Sequence, residues 1–127
     1  MKIKALDHVN VRTTQLETMI AWYSDVLGLV KGPRPNFASE GAWMYAGDAP
    51  VVHLVAIDGA PGVGSEVALK LEHFAFSASG RAAFEARLKA HGAEYKAVPI
   101  DAIGMVQLNV WDPDGNHIHI DFAAEEV

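Results

Sequence analysis

Leu6 to Arg12 alternates, with Leu6, His8, Asn10 and Arg12 on one face of an extended segment and Asp7, Val9 and Val11 on the other, which predicts a half-buried strand. Thr14-Gln15-Leu16-Glu17 then reads as a capping box, because a Thr hydroxyl and a Glu three residues on can satisfy the first amides of a helix. Leu16, Met19, Ile20, Tyr23 and Leu27 recur at helical spacing, and Gly28 supplies a left-handed end. A Gly/Pro-rich stretch from Lys31 to Pro35 follows. Ala42 to Ala46 and Pro50 to Ile57 are expected strands, separated by the turn Gly47-Asp48-Ala49-Pro50.

The plan then repeats. Leu71 to Phe76 is an expected strand, about Ser79 to His91 an expected helix with Phe84 and Leu88 inward and a stop at Gly92, and Met105 to Trp111 and His117 to Phe122 two further strands. Between the last two, Asp112-Pro113-Asp114-Gly115 suits a type I turn. Each half is thus roughly strand, helix, then two or three strands. The expected organisation is one domain over residues 1–127: a first module of about 1–58, a linker of about 58–70 and a second module of about 71–127.

The repetition extends to residue identity. Leu6-Asp7-His8-Val9-Asn10-Val11 and Leu71-Glu72-His73-Phe74-Ala75-Phe76 share the pattern apolar, acidic, His, apolar, small, apolar at an offset of 65, and Val52-His53-Leu54 matches Ile118-His119-Ile120 at an offset of 66. Strand parity puts His117, His119 and Asp121 opposite the core residues Ile118, Ile120 and Phe122. His53 shares a face with Val51 and Val55 and has Val52, Leu54 and Ala56 opposite, so its ring needs a hydrogen bond or a ligand. Neutral imidazoles bind borderline divalent ions readily, and four at matching positions of a duplication predict a metal site of His8, His53, His73 and His119. His91, in the last turn of a helix, is expected to be structural, and His117 solvated, with support of a neighbouring ligand on the face it shares with His119 as the alternative. Trp22 and Trp43 are expected in the core.

A 127-residue chain with half its residues apolar and a fifth charged can fold, but a half of about 60 residues buries too little to stand robustly alone. The net charge of −6 leaves no basic stripe for nucleic acid, and the apolar runs are too short for a membrane span or a signal peptide. The expected setting is cytoplasmic, with a small-molecule partner. Without cysteine there is neither a thiolate nucleophile nor a Cys-type zinc site.

The residues resemble the vicinal oxygen chelate superfamily, the glyoxalase, bleomycin resistance protein and dioxygenase family, over nearly the whole chain. The resemblance is carried by Leu6-Asp7-His8-Val9, by Ala21-Trp22-Tyr23-Ser24-Asp25-Val26-Leu27-Gly28-Leu29, by Leu71-Glu72-His73-Phe74 and by Asp112-Pro113-Asp114-Gly115-Asn116-His117-Ile118-His119-Ile120. It implies an α+β fold, paired βαβββ modules forming an incomplete mixed β-barrel with helices on the convex side, and a divalent metal (Fe, Ni, Zn or Mn) at the positions of His8, His53, His73 and His119. It also implies a homodimer. The implied chemistry is that of a metal-dependent lyase, isomerase or dioxygenase in which the ion chelates adjacent oxygens of a small substrate. Alternatives are a ferrous extradiol-type dioxygenase and a metal-free sequestration protein of the bleomycin-resistance type.

The family's closing motif usually ends in Glu where this chain has His119, and glyoxalase-type members carry a carboxylate at the position of His53. An all-histidine set therefore lacks the glutamate that doubles as a base in those isomerases. Arg12, which can hold a carboxylate, and Tyr45 and Asp121, which can move a proton, are the candidate catalytic side chains on the same faces.

Overall fold

The computed structural model describes residues 1–60 and 70–126. The chain divides into two compact units, Met1–Gly62 and Val63–Val127. The expected linker of about 58–70 falls largely on residues 61–69, outside the described residues.

The first unit runs β1 (Val9–Thr13), α1 (Leu16–Asp25), β2 (Val30–Gly32), β3 (Gly41–Ala46) and β4 (Ala49–Ala56). Its sheet has the order β1-β4-β3-β2, with β1 parallel to β4 and the other pairs antiparallel. The second unit repeats this as β5 (His73–Ser77), α2 (Arg81–Ala90), β6 (Tyr95–Ile100), β7 (Met105–Trp111) and β8 (His117–Ala123), with a single 3-10 turn at Asp101–Ile103. Its sheet order is β5-β8-β7-β6, again with one parallel pair, β5 with β8. Both units are therefore βαβββ modules of the α+β class.

In each module the central strands bury one face and leave the other for chemistry. Ala42, Met44, Val52 and Leu54 are buried in the first module, as are Met19 and Tyr23 of α1. In the second, Val106, Leu108, Val110, Ile118, Ile120 and Phe122 are buried, as is Leu88 of α2, and Phe84 meets Phe122 with ring centroids 6.0 Å apart. Helix α1 ends as its sequence predicts. Gly28 takes φ 73°, a left-handed conformation that favours glycine, and Gly28 N and Leu29 N donate back to the Ser24 and Tyr23 carbonyls at 3.0 Å each.

Several boundaries differ from the sequence reading. The capping box at Thr14 does not form. Gln15 occupies the cap position without a side-chain cap, and the neighbouring hydroxyl of Thr13 accepts from Gln15 N at 3.0 Å, a local turn that competes with capping. The strands expected from Leu6 and Leu71 begin at Val9 and His73, where parallel pairing with Val52 and His117 begins, and Leu6 and Leu71 are exposed. Helix α2 starts at Arg81 rather than near Ser79. Two edge strands, β2 and β6, were not expected from the sequence. β2 is three residues long and borders Pro33, while β6 contains Pro99, which an edge position tolerates because a missing ladder donor is least harmful there.

Helix α2 has a tertiary cap. Gly80 at its cap position has no side chain, and Glu126, from beyond the last strand, supplies the carboxylate: its Oε1 accepts from Gly80 N at 2.6 Å and from Arg81 N at 2.5 Å. A carboxylate at a helix N-terminus satisfies orphan amides and opposes the macrodipole. Glu126→Ala is expected to lower stability by about 1–2 kcal/mol. Glu126→Gln should recover part of that. Urea unfolding followed by far-ultraviolet circular dichroism reads both, and unchanged midpoints would refute the capping role.

Candidate metal centre

The histidines occupy the sheet faces opposite the two cores. In the first module His8 immediately precedes β1, and His53 sits at the centre of β4, in register with Asn10 of β1 and Trp43 of β3. The three rings form a stack: His8 on His53 at 3.8 Å between centroids, and His53 on Trp43 at 4.1 Å. Trp43 was expected in the core, but strand parity gives that face to Ala42 and Met44, and the indole instead covers His53. Phe37 extends the aromatic surface, 6.3 Å from Trp43, with the Arg34 guanidinium 5.0 Å above its ring.

In the second module His73 opens β5 and stacks on His119 of β8 at 3.8 Å. The ring of His117, also on β8, is 5.5 Å from that of His73 and 4.7 Å from that of His119 between centroids. One nitrogen from each of His73, His117 and His119 can be chosen so that all lie within 4.8 Å of one another, a spacing that suits a shared cation. The expectation that His117 is solvated is corrected here: its ring is 8% exposed and stacks on Trp111 at 4.9 Å. Its Nδ1 lies 3.0 Å from Glu72 Oε1 and its Nε2 2.8 Å from Asn109 Oδ1, a hydrogen-bond contact on each side of the ring.

The outer partners of the other rings follow the duplication. His8 donates from Nδ1 to Asp7 Oδ2 at 2.7 Å, and His73 donates from Nδ1 to Glu72 Oε2. His53, 8% exposed, donates from Nε2 to the Pro50 carbonyl at 3.0 Å. Three of the four candidate rings thus have one nitrogen fixed by an oxygen, which sets the tautomer and leaves the other nitrogen with its lone pair. Metal-binding histidines are held this way as a rule, and imidazole suits Zn, Fe and Ni, so the donor set fits a divalent ion. The sequence reading missed Asp7 and Glu72. The signal was present, since both copies of the motif place an acidic residue directly before the histidine.

The remaining candidates are spread over the same faces. Arg12 is exposed on β1, two residues beyond Asn10. Tyr45 covers Gly32, where an added Cβ would come within 2.7 Å of its ring, and its hydroxyl donates to the Pro33 carbonyl at 2.5 Å. Asp121 is in register with Ser77 and Gln107, and its Oδ1 is buried with no hydrogen-bond partner among the described residues.

Desolvation favours the neutral form of two rings, His53 and His119. Burial, then the neighbouring His8, lowers the pKa of His53; burial, then His73 and His117, lowers that of His119. A lowered folded-state value means that the unfolded chain binds more protons once the pH falls through the ordinary histidine value of 6.5. Above that value neither ring contributes. Below it folding must exclude a proton, so stability falls with acidification. The melting temperature of metal-free protein is expected to drop between about pH 7 and about pH 5, and the paired substitution His53→Gln, His119→Gln to flatten that drop. An equally steep profile in the double variant would refute the assignment.

Residues 5–120 match the family model of the Glyoxalase/Bleomycin resistance protein/Dioxygenase superfamily. No curated protein matches the chain. Among solved structures, a glyoxylase/bleomycin resistance protein/dioxygenase domain from Frankia sp. EAN1pec superposes with a TM-score of 0.82 at 19% identity, over 96% of this chain and 99% of that one. A glyoxalase family protein from Bacillus anthracis gives 0.74 at 23% identity over 97% and 98%, and a genomically encoded fosfomycin resistance protein from Listeria monocytogenes gives 0.68 at 15% over 96% and 95%. At those identities the likeness is one of fold. The sequence model covers most of the chain, and with it the motifs that open and close both modules, so the chain belongs to the glyoxalase/bleomycin resistance protein/dioxygenase superfamily.

Proposed function

We propose that the chain is a metal-dependent glyoxalase- or dioxygenase-like enzyme acting on a small substrate with two adjacent oxygens, with His8, His53, His73 and His119 as the ligands. The observation that carries this reading is the repeated construction of the histidine pairs: in each module two rings stack at 3.8 Å, and the acidic residue before the first holds its Nδ1. A divalent ion bound there supplies Lewis acidity that stabilises an enolate or catecholate-like anion.

The chain's own residues do the rest. Arg12, exposed on β1, offers a fork for a substrate carboxylate. Asp121 is the favoured candidate of the two proton carriers, because its Oδ1 has no partner among the described residues whereas the Tyr45 hydroxyl already has one in Pro33. Small members of this superfamily pair as homodimers, and a homodimer in the cytoplasm is the assembly proposed here. Among the described residues no helix is long and apolar enough to cross a membrane. Metal analysis of wild type and histidine variants after loading tests the ligand set. Oxygen uptake with catechols after anaerobic ferrous loading separates the dioxygenase branch from the isomerase and lyase branches.

A further inference from the structure

We propose that Glu72, His117 and Asn109 form a positioning chain that fixes the tautomer of His73, and that His117 is therefore an orienting residue rather than a metal ligand. The inference rests on the metal-dependent reading above for its purpose, though not for its geometry. The chain starts on the main chain. Asn109 Nδ2 donates to the Lys96 carbonyl at 3.2 Å, which turns Oδ1 to His117 Nε2, 2.8 Å away. His117 Nδ1 contacts Glu72 Oε1 at 3.0 Å, and the other oxygen of the same carboxylate accepts from His73 Nδ1. Both nitrogens of His117 are thus engaged, and Trp111 stacks parallel to the ring, with 9° between the planes. Turning a His117 lone pair towards an ion would break one of these bonds and pull the ring from its stack on Trp111.

The duplication makes the addition visible. In the first module Asp7 meets His8, but the positions 66 residues before His117 and Asn109 are Val51 and Trp43, which cannot extend the link. Among the described residues, His73 is the ring backed by a carboxylate that is itself anchored. A ring held with its proton on Nδ1 presents Nε2 outward with raised basicity, which is how outer partners tune a ligand.

Glu72→Gln is the direct test. The amide keeps the side chain's size but has one accepting oxygen, so one of the two rings must face an N–H₂ group. In metal-free protein near neutral pH, two-bond proton–nitrogen correlation of the imidazoles is expected to find His73 as the Nδ1–H tautomer in wild type and mixed or inverted in Glu72→Gln. With zinc alone as the probe, competition titration should give a wild-type stoichiometry with affinity about 10–100-fold weaker in both Glu72→Gln and His117→Gln. Unchanged melting of Glu72→Gln, whose carboxylate is at the surface, keeps the comparison clear of folding defects. The proposal is overturned if His73 keeps its tautomer and zinc affinity stays within about twofold in Glu72→Gln, or if His117→Gln loses zinc outright as a ligand variant would. Zinc-free wild type with the expected tautomer shift would sink the metal reading and leave the positioning chain standing. Zinc binding indifferent to Glu72 would do the reverse.

Discussion

His73→Ala is expected to strip the protein of bound divalent metal, weakening affinity by more than the roughly 10–100-fold that outer-shell substitutions cause. His73 is the ring on which the second module's arrangement centres: it stacks on His119, and Glu72 holds its Nδ1. Deleting it removes a donor without emptying a core, since His73 is exposed at the start of β5. Melting temperature should therefore hold while metal content falls. Elemental analysis after loading and exhaustive dialysis reads the effect, with His91→Ala, on an exposed ring at the end of α2, as the control expected to bind normally. Equal and negligible metal in wild type and His73→Ala would overturn the enzyme reading and favour a sequestration protein, for which the Phe37, Trp43 and His53 surface offers an aromatic wall.

The histidine positions were legible because strand parity is a rigid rule. Once His119 lay between Ile118 and Ile120, only one face remained for it. His53 announced itself by interrupting apolar residues on both faces, which called for a hydrogen bond or a ligand, and one of its nitrogens is bonded to the Pro50 carbonyl. The turn at Asp112 was equally readable: Gly115 N donates to the Asp112 carbonyl at 2.9 Å, closing the expected i to i+3 link. What parity could not supply was partners distant in sequence. His117 and Glu72 are 45 residues apart, and nothing local distinguishes a histidine held by such a carboxylate from one in solvent. Glu126 capping α2 was hidden for the same reason. Local chemistry misled at Thr14, because two adjacent threonines offer the same hydroxyl and the choice fell to Thr13, whose side chain is buried beside the helix start. Edge strands escaped because β2 is too short to show a period and β6 carries a proline.

The largest stability effect is expected at Phe122. Strand β8 lies between β5 and β7, so its inward residues are packed from both sides as well as from the helix face. Phe122 is 1% exposed, follows Ile118 and Ile120 along the same face, and meets Phe84 of α2. A ring deleted there leaves a cavity that paired strands cannot close without giving up ladder hydrogen bonds, and such Phe→Ala changes cost about 3–5 kcal/mol. Against a total stability of about 5–15 kcal/mol, that is enough to leave the second module partly unfolded at ambient temperature. Gln107→Ala, on the opposite face of neighbouring β7, removes no packed ring and should stay within about 0.5 kcal/mol. Urea titration of the two variants separates the faces. A loss below about 1 kcal/mol at Phe122 would mean that the sheet-to-helix contact is not what holds β8, and with it His117 and His119, in register.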